Sequence, residues 1–425
     1  MQFKCARLIM LDWEKVVINK KRVIALLISL ACLFASGSRQ PVIAAQKPTQ
    51  AAPIVIPFEF VTRHIVIKVR INNSDPLRFI LDTGDKVAIV DLNRAQSLGL
   101  TLQNEVRVGG AGAGTLKGSQ VKDASLTVLG VEGNVQPVAM ALPLDILKPN
   151  FGQEIDGIIG GDFIKQFVVE IDYPARLLRL HDKDKFTYSG PGEIIPIRLN
   201  GLGYPVVEGE VTAAGPPAVK AEFLLDIGSG GSLALHTPFV EQQHLPAPDQ
   251  KTIRAIGGGG AGGKVTGKIG RIAELKIGTF QIQNPATLFS EDRAGAFATS
   301  QLQGNIGAQI LTKFKVFLDY SRNRIILEPN ASFKDLIAPA SAGLRLVAVG
   351  ADYKTFRVED LLEASPATEA GLQVGDLVLT VDGHQASELT LSSLHESFEK
   401  PGPHKLTVRR GDQTLQLTVT SRRMV

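Results

Sequence analysis

Cysteine is nearly absent: the 425 residues hold two, Cys5 and Cys32, both ahead of residue 46. The rest of the chain thus has no thiol nucleophile, no thiolate metal site and no disulfide framework, and cores alone must hold it together. Aromatics are few at 6%, against 42 glycines, a balance that suits strands and turns better than helices. Long apolar runs are missing too. The one candidate, Val23–Ala35, has about 13 residues where a membrane-crossing helix needs about 20. Preceded by Lys20, Lys21 and Arg22, it reads as the core of a secretory signal, cleaved after Ala44-Ala45 or near Ala35-Ser36-Gly37. Nor does the body carry charge of one sign. Residues 1–45 have seven Lys/Arg and two Asp/Glu, and the other 380 have 39 and 40, so the formal +4 belongs to the leader. A nucleic-acid binder keeps its basic surface in the folded part, so no nucleic-acid partner is expected. The seven histidines form no His-Glu-x-x-His, and no Gly-x-Ser-x-Gly or phosphate-binding loop occurs, so no metal and no cofactor is expected.

What is present is a repeat. Phe79-Ile80-Leu81-Asp82-Thr83-Gly84 returns as Phe223-Leu224-Leu225-Asp226-Ile227-Gly228. Ile158-Ile159-Gly160 returns as Asn305-Ile306-Gly307, and Phe167–Tyr173 as Phe314–Tyr320. The offsets are 144 residues for the aspartates and 147 for the glycines, in the same order. Between each Asp and its later glycine lies a Gly-rich hairpin, 107–118 and 256–267, with tip glycines Gly110, Gly112 and Gly114 in one and Gly258 and Gly260 in the other. Ahead of the first copy, Ile65, Ile67, Val69 and Ile71 alternate as a half-buried strand does. Arg176/Arg179 and Arg322/Arg324 sit in matching places and read as solvated turn and strand positions.

Each aspartate follows an apolar strand and enters a tight turn. Symmetric packing of two copies would bring Asp82 and Asp226 together, and like charges in contact force one carboxyl to keep its proton while the other ionises. Such a pair supplies a general base for water and an acid for a carbonyl oxygen; the aspartic-protease dyad is the standard example of this split.

These residues resemble a bacterial retropepsin-like aspartic protease with two retroviral-type lobes fused in one chain. Leu81-Asp82-Thr83-Gly84 is similar to that family's catalytic strand and loop, Asp226 and Gly228 to the second loop, and the segments ending at Gly160 and Gly307 to the braces behind them. The resemblance implies an all-β fold of duplicated acid-protease barrel lobes, over residues 56–186 and 187–332 after a linker at 46–55. It further implies catalytic Asp82 and Asp226, with Thr83, Gly84, Gly228, Ser229, Gly160 and Gly307 in support. The Gly-rich hairpins take the place of flaps over an extended polypeptide substrate. Two departures stand out. Ile227 replaces the threonine whose hydroxyl crosses the lobe interface, and Asp85 follows the first Asp-Thr-Gly where the family has Ala or Ser. Both motivate an alternative, a catalytically silent peptide-binding or scaffold protein.

From residue 340 to 421 the pattern starts afresh. Ser365-Pro366-Ala367 enters a short turn that Gly371 ends, and Gly375-Asp376 leads through Leu377–Val381 to Asp382-Gly383. Residues 392–399 read as a helix, and 405–409 with 413–420 as a closing hairpin. This order resembles a PDZ domain of the bacterial exported type, β-rich with short helices, which implies binding of peptide carboxyl termini by strand addition. The receiving loop is expected within residues 351–356, with Tyr353, Lys354, Phe356 and Val358 at the groove. The protein is expected to be exported, periplasmic or secreted, touching a membrane only through an uncleaved leader.

Overall fold

The computed structural model describes residues 52–425, apart from residue 216, residues 256–257 and residues 338–340. The expected leader with both cysteines, most of the linker, and Ile256 and Gly257 of the second hairpin lie outside the described residues. Among the described residues no helix is long and apolar enough to cross a membrane.

In the first half, His64–Ile71 pairs antiparallel with Leu77–Leu81, which runs parallel to Gly157–Ile159. Gly157–Ile159 pairs antiparallel with Ala88–Asp91, itself parallel to Val135–Leu142. Ser125–Val128 then joins Val135–Leu142 back to His64–Ile71, so the six strands close into a barrel. The alternation in the first long strand has its expected cause: Ile65, Ile67, Val69 and Ile71 all point into the barrel and are at most 1% exposed.

The second half repeats the order and sense of these pairings. Pro205–Thr212 is antiparallel to Val219–Leu225, which is parallel to Gly304–Ile306. That strand is antiparallel to Leu233–Leu235, which is parallel to Ala286–Ser290. Here the ring stays open, because Glu274–Ile277 pairs with Pro205–Thr212 and with Phe280–Gln283 instead of returning to Ala286–Ser290.

A sheet behind both halves ties them together. Leu177–Asp182, Phe167–Asp172, Phe314–Asp319 and Arg324–Pro329 are successive antiparallel neighbours. One hydrophobic cluster runs from Ile56 to Ile337 across both halves. Two of the arginines read as solvated, Arg324 and Arg179, are structural here, whereas Arg176 is an exposed turn residue. Arg324 Nε donates to Asp319 Oδ2 at 2.8 Å, and Asp319 is 0% exposed; Arg179 Nη1 donates to Glu170 Oε1 at 2.8 Å. A buried carboxylate requires such partners, and the sheet supplies them from neighbouring strands.

The carboxyl-terminal region has its own core, from Ala342 to Val419. Its sheet runs Leu344–Val349, Thr355–Leu361, Leu377–Val381, Gly402–Arg410, Gln413–Ser421. The helix Pro366–Glu369 begins at Ser365, whose side chain accepts from the Thr368 N–H in a reciprocal capping box, an arrangement worth about 1 kcal/mol. The helix Leu391–Phe398, capped by Thr390, buries Leu391, Leu394 and Phe398.

Candidate active site

Asp82 and Asp226 leave equivalent strands and are anchored alike. The Asp82 N–H donates to the Ile159 carbonyl at 3.0 Å, and the Asp226 N–H to Ile306 at 2.9 Å. The glycine after each bracing strand lets the aspartate loop lie against it. A Cβ at Gly160 would collide with the Asp85 carbonyl, and one at Gly307 would come within 2.5 Å of the Gly231 carbonyl. The Gly161 N–H then clamps the Asp85 carbonyl at 2.8 Å, as the Ala308 N–H clamps that of Ser229.

The two loops meet face to face. A Cβ at Gly228 would strike the Asp82 carboxylate, and one at Gly84 would lie 3.1 Å from Asp82 Oδ1 and 3.4 Å from Asp226 Oδ1. Both carboxylates thus flank Gly84, where a Cβ would be tight against Asp82. Asp82 Oδ1 accepts from the Gly84 N–H at 2.6 Å. Asp226 accepts from the Gly228 and Ser229 N–H groups and, on Oδ2, from Asn305 Nδ2 at 2.9 Å. Burial pushes both carboxyls up. Asp82 goes furthest, since the charges of Asp226 and then Asp85 add to its burial; Asn305 and the backbone donors oppose the rise at Asp226.

The asymmetry rests on one position. Asn305 pairs with Leu224 in register as Ile158 pairs with Ile80, so Asp226 has an amide where Asp82 has an apolar side chain. Asn305 Oδ1 in turn contacts His236 Nε2 at 2.9 Å, and His236, stacked on Phe297, is held neutral by burial. Sequence reasoning placed Asn305 only as a brace. Its signal was a polar residue in an otherwise apolar strand, aligned with an isoleucine in the other copy.

Thr83 answers the question posed by Ile227. Its hydroxyl donates to the Leu225 carbonyl at 2.5 Å and accepts from the Ile227 N–H at 3.0 Å, so one threonine makes the crossing bonds between the loops. Ile227, 1% exposed, fills the core where a second hydroxyl would need a partner. Asp85, half-buried, is pushed up to about 6 by burial and then by the Asp226 charge. Tyr204, on the turn before Pro205–Thr212, was not anticipated. Burial and the nearby Asp85 and Asp82 charges push its phenol up to about 12.

The two Gly-rich tips also meet. The Gly114 N–H donates to the Gly262 carbonyl at 2.7 Å, and the Gly262 N–H to Ala111 at 2.9 Å. At Gly112, with φ +88°, a Cβ would lie 2.6 Å from the Gly262 backbone, and Gly260 faces Ala111. Gly110 accepts from the Ala296 N–H at 2.9 Å, whereas Gly258 faces open space. Backbone-to-backbone approach explains the glycines at 112 and 262.

The family model for aspartyl proteases matches residues 67–163, and that for PDZ domains matches residues 343–420. An aspartic-protease-like domain and a separate PDZ domain are present in this chain. Among solved structures the chain is similar to an aspartic proteinase from Irpex lacteus at 11% identity and a TM-score of 0.41, over 67% of this chain and 99% of that one. It is also similar to the PDZ domain of HtrA3 bound to a phage-derived ligand, at 23% identity and a TM-score of 0.18, over 20% of this chain and 85% of that one. No curated protein matches.

In the PDZ domain two of the expected groove residues, Phe356 and Val358, are corrected. Phe356 and Val358 are 0% exposed, in the centre of the domain core, and cannot line a surface groove. Tyr353 turns toward the protease-like part and donates its hydroxyl to Glu154 Oε1 at 2.8 Å. Lys354 is exposed, with Nζ 3.5 Å from the Leu389 carbonyl. The reason is topological: Thr355–Leu361 is an interior strand, paired on both sides, and the edge strands are Leu344–Val349 and Gln413–Ser421. The PDZ domain is docked. The Thr62 N–H donates to Ser392 Oγ at 2.7 Å, Arg63 pairs with Glu399, and Arg254 forms a two-pronged pair with Asp360.

Proposed function

We propose that this chain is an exported aspartic endopeptidase whose two retropepsin-like lobes share one dyad, Asp82 and Asp226. The observation that carries the reading is the convergence of both carboxylates on Gly84, with different hydrogen-bond partners on each. Asp226, stabilised as the anion by Asn305 and two backbone N–H groups, is the general base. Asp82, which has the Gly84 and Gly228 N–H groups but no side-chain donor, holds the shared proton. Asp226 takes a proton from water as the water oxygen bonds to the scissile carbonyl carbon, and Asp82 gives its proton to the carbonyl oxygen. The resulting gem-diol collapses when Asp82 recovers a proton from a hydroxyl and Asp226 passes its own to the amide nitrogen, so the C–N bond breaks and both carboxyls return to their starting states. The Gly-rich tips close over the substrate and keep bulk solvent, other than the attacking water, out of the site. The PDZ domain supports a peptide-ligand role, and the leader supports export.

Replacing Asp82 or Asp226 by Asn, nearly isosteric, is expected to lower cleavage of a denatured protein substrate at least a thousandfold with melting preserved. Undiminished proteolysis in both variants would refute the reading. The silent-scaffold alternative rested on Ile227 and Asp85; the crossing bonds of Thr83 bear on the first alone.

A further inference from the structure

The short helices that follow two equivalent strands begin differently. Ala88–Asp91 leads into the helix Leu92–Ser97, and Leu233–Leu235 leads through His236 into the helix Thr237–Gln242. Ile158 pairs with Ile89, and Asn305 with Ala234, so Asp91 and His236 hold the same place in the two halves. Each is the residue at the start of its helix. Asp91 acts as a cap there: its carboxylate accepts from the Arg94 N–H at 3.1 Å and from the Leu144 N–H at 3.0 Å. His236 makes no side-chain bond to its helix, where Pro238 in the first turn leaves one N–H fewer to satisfy.

The imidazole is held elsewhere. His236 is 3% exposed, its ring stacks on Phe297 with centroids 4.9 Å apart, and Nε2 lies 2.9 Å from Asn305 Oδ1. Asn305 Nδ2 then reaches Asp226 Oδ2 at 2.9 Å. Asn305 and His236 thus depart together from Ile158 and Asp91, and this departure gives the second half a buried polar line from the helix start to its aspartate. A missing cap and an Nδ1 that is buried without a hydrogen bond are both destabilising, so helix stability does not account for the histidine.

The ends of the line determine where its hydrogens sit. A carboxylate at Asp226 only accepts, so Asn305 must turn Nδ2 to it and Oδ1 to the imidazole. Oδ1 also only accepts, so Nε2 must carry a hydrogen. Burial holds the ring neutral, opposed by Asn305 and the Leu302 backbone, and Nδ1 is therefore bare. With the hydrogen on Nδ1 instead, two lone pairs would meet between Nε2 and Oδ1, and the amide would have to reverse and aim its oxygen at Asp226. The charged groups that face Asp226 are Asp82 and Asp85 of the first loop, both acidic, so neither can take over from the amide. The neighbours of His236 are neutral: the Asn305 amide, the Phe297 ring and the Leu302 backbone.

We propose that His236 is a positioning residue for Asp226: its Nε2–H fixes the Asn305 amide with Nδ2 turned to the carboxylate, so that of the two facing carboxyls Asp226 is the one left ionised. The line stands on its own geometry; that the ionised group serves as general base rests on the endopeptidase reading above.

The test reads protonation directly, by NMR of the full chain. In the unaltered protein, labelled in histidine, the His236 signal is identified by its loss in His236→Gln and should show the neutral Nε2–H tautomer from pH 4 to pH 8. With aspartate carboxyls labelled, the Asp226 signal is identified by its loss in Asp226→Asn. His236→Phe keeps an aromatic ring against Phe297 and removes the donor, so the Asp226 midpoint should rise by about half a pH unit, less than Asn305→Ile causes. His236→Gln restores an N–H in the place of Nε2 and should bring the midpoint back to within about 0.2 unit. In the Asn305→Ile background His236→Phe should add no more than about 0.2 unit, because the two residues act in series. Melting is followed for every variant. A His236 hydrogen on Nδ1, an unmoved Asp226 midpoint in folded His236→Phe, a Gln variant shifted as far as the Phe variant, or an equal further shift without Asn305 would each overturn the proposal. The expected shifts in a chain that cleaves no polypeptide would uphold the positioning role and refute the endopeptidase reading alone.

Discussion

Asn305→Ile makes the second aspartate loop like the first, where Ile158 occupies the matching position. The substitution removes the amide that donates to Asp226 Oδ2 at 2.9 Å. A hydrogen bond to a charged group contributes about 1.5–3 kcal/mol, and the lower end applies here because Asp226 keeps the Gly228 and Ser229 donors. About 1.5 kcal/mol against the ionised form displaces the acid limb of kcat/KM upward by about one pH unit. The sign follows from the role: the base must be ionised, and losing a donor makes ionisation harder. Activity in the variant should therefore fall about tenfold below the original midpoint and stay within about threefold well above it. His236 loses its contact with Asn305 Oδ1, so melting is followed in parallel to separate a folding loss from a titration shift. The reciprocal change, Ile158→Asn, gives Asp82 a donor and should move the basic limb down. An acid limb that stays in place in folded Asn305→Ile would refute the division of roles between the two aspartates.

Three further outcomes follow from the same geometry. Asp85→Asn removes a carboxyl held near 6 in the folded chain against an ordinary value of 3.8, so it should stabilise the protein by about 1–2 kcal/mol above pH 7 and leave stability unchanged near pH 4; the figure is discounted for the side chain's partial exposure, and urea unfolding at the two pH values checks it. The pH dependence runs in that direction because a raised folded value makes the ionised form destabilising, a penalty that grows through pH 4–6 and that Asn does not have. Thr83→Val strands the Leu225 carbonyl and the Ile227 N–H between the two loops and should cost about 2–4 kcal/mol in urea unfolding, with Thr83→Ser recovering most of it. Gly112→Ala places a Cβ 2.6 Å from the Gly262 backbone at φ +88° and should lower kcat/KM at least tenfold with melting nearly unchanged, because the tips carry little of the core.

Much of this protein was legible in one dimension because its signals are local. Strand alternation at Ile65–Ile71, the Asp-x-Gly turns, the glycine after each bracing strand and the short turn entered at Ser365 each depend on neighbours within a few residues, and periodicity or spacing exposes them. The repeat added one long-range fact, that Asp82 and Asp226 occupy equivalent places and that two-fold packing would join them. Three-dimensional packing decided the rest. Asn305 distinguishes the two carboxylates through a contact 79 residues away in sequence. Arg324 and Arg179 read as surface charges until neighbouring strands brought buried acids to them. Phe356 and Val358 have the composition of either a groove or a core, and only the strand order, which puts Leu344–Val349 at the edge, assigns them to the core. The segment Lys148–Gly152 carries no motif, yet it covers part of that edge. Local chemistry is written in the order of residues, whereas which surfaces touch depends on burial summed over the whole chain, and no short window of sequence contains that sum.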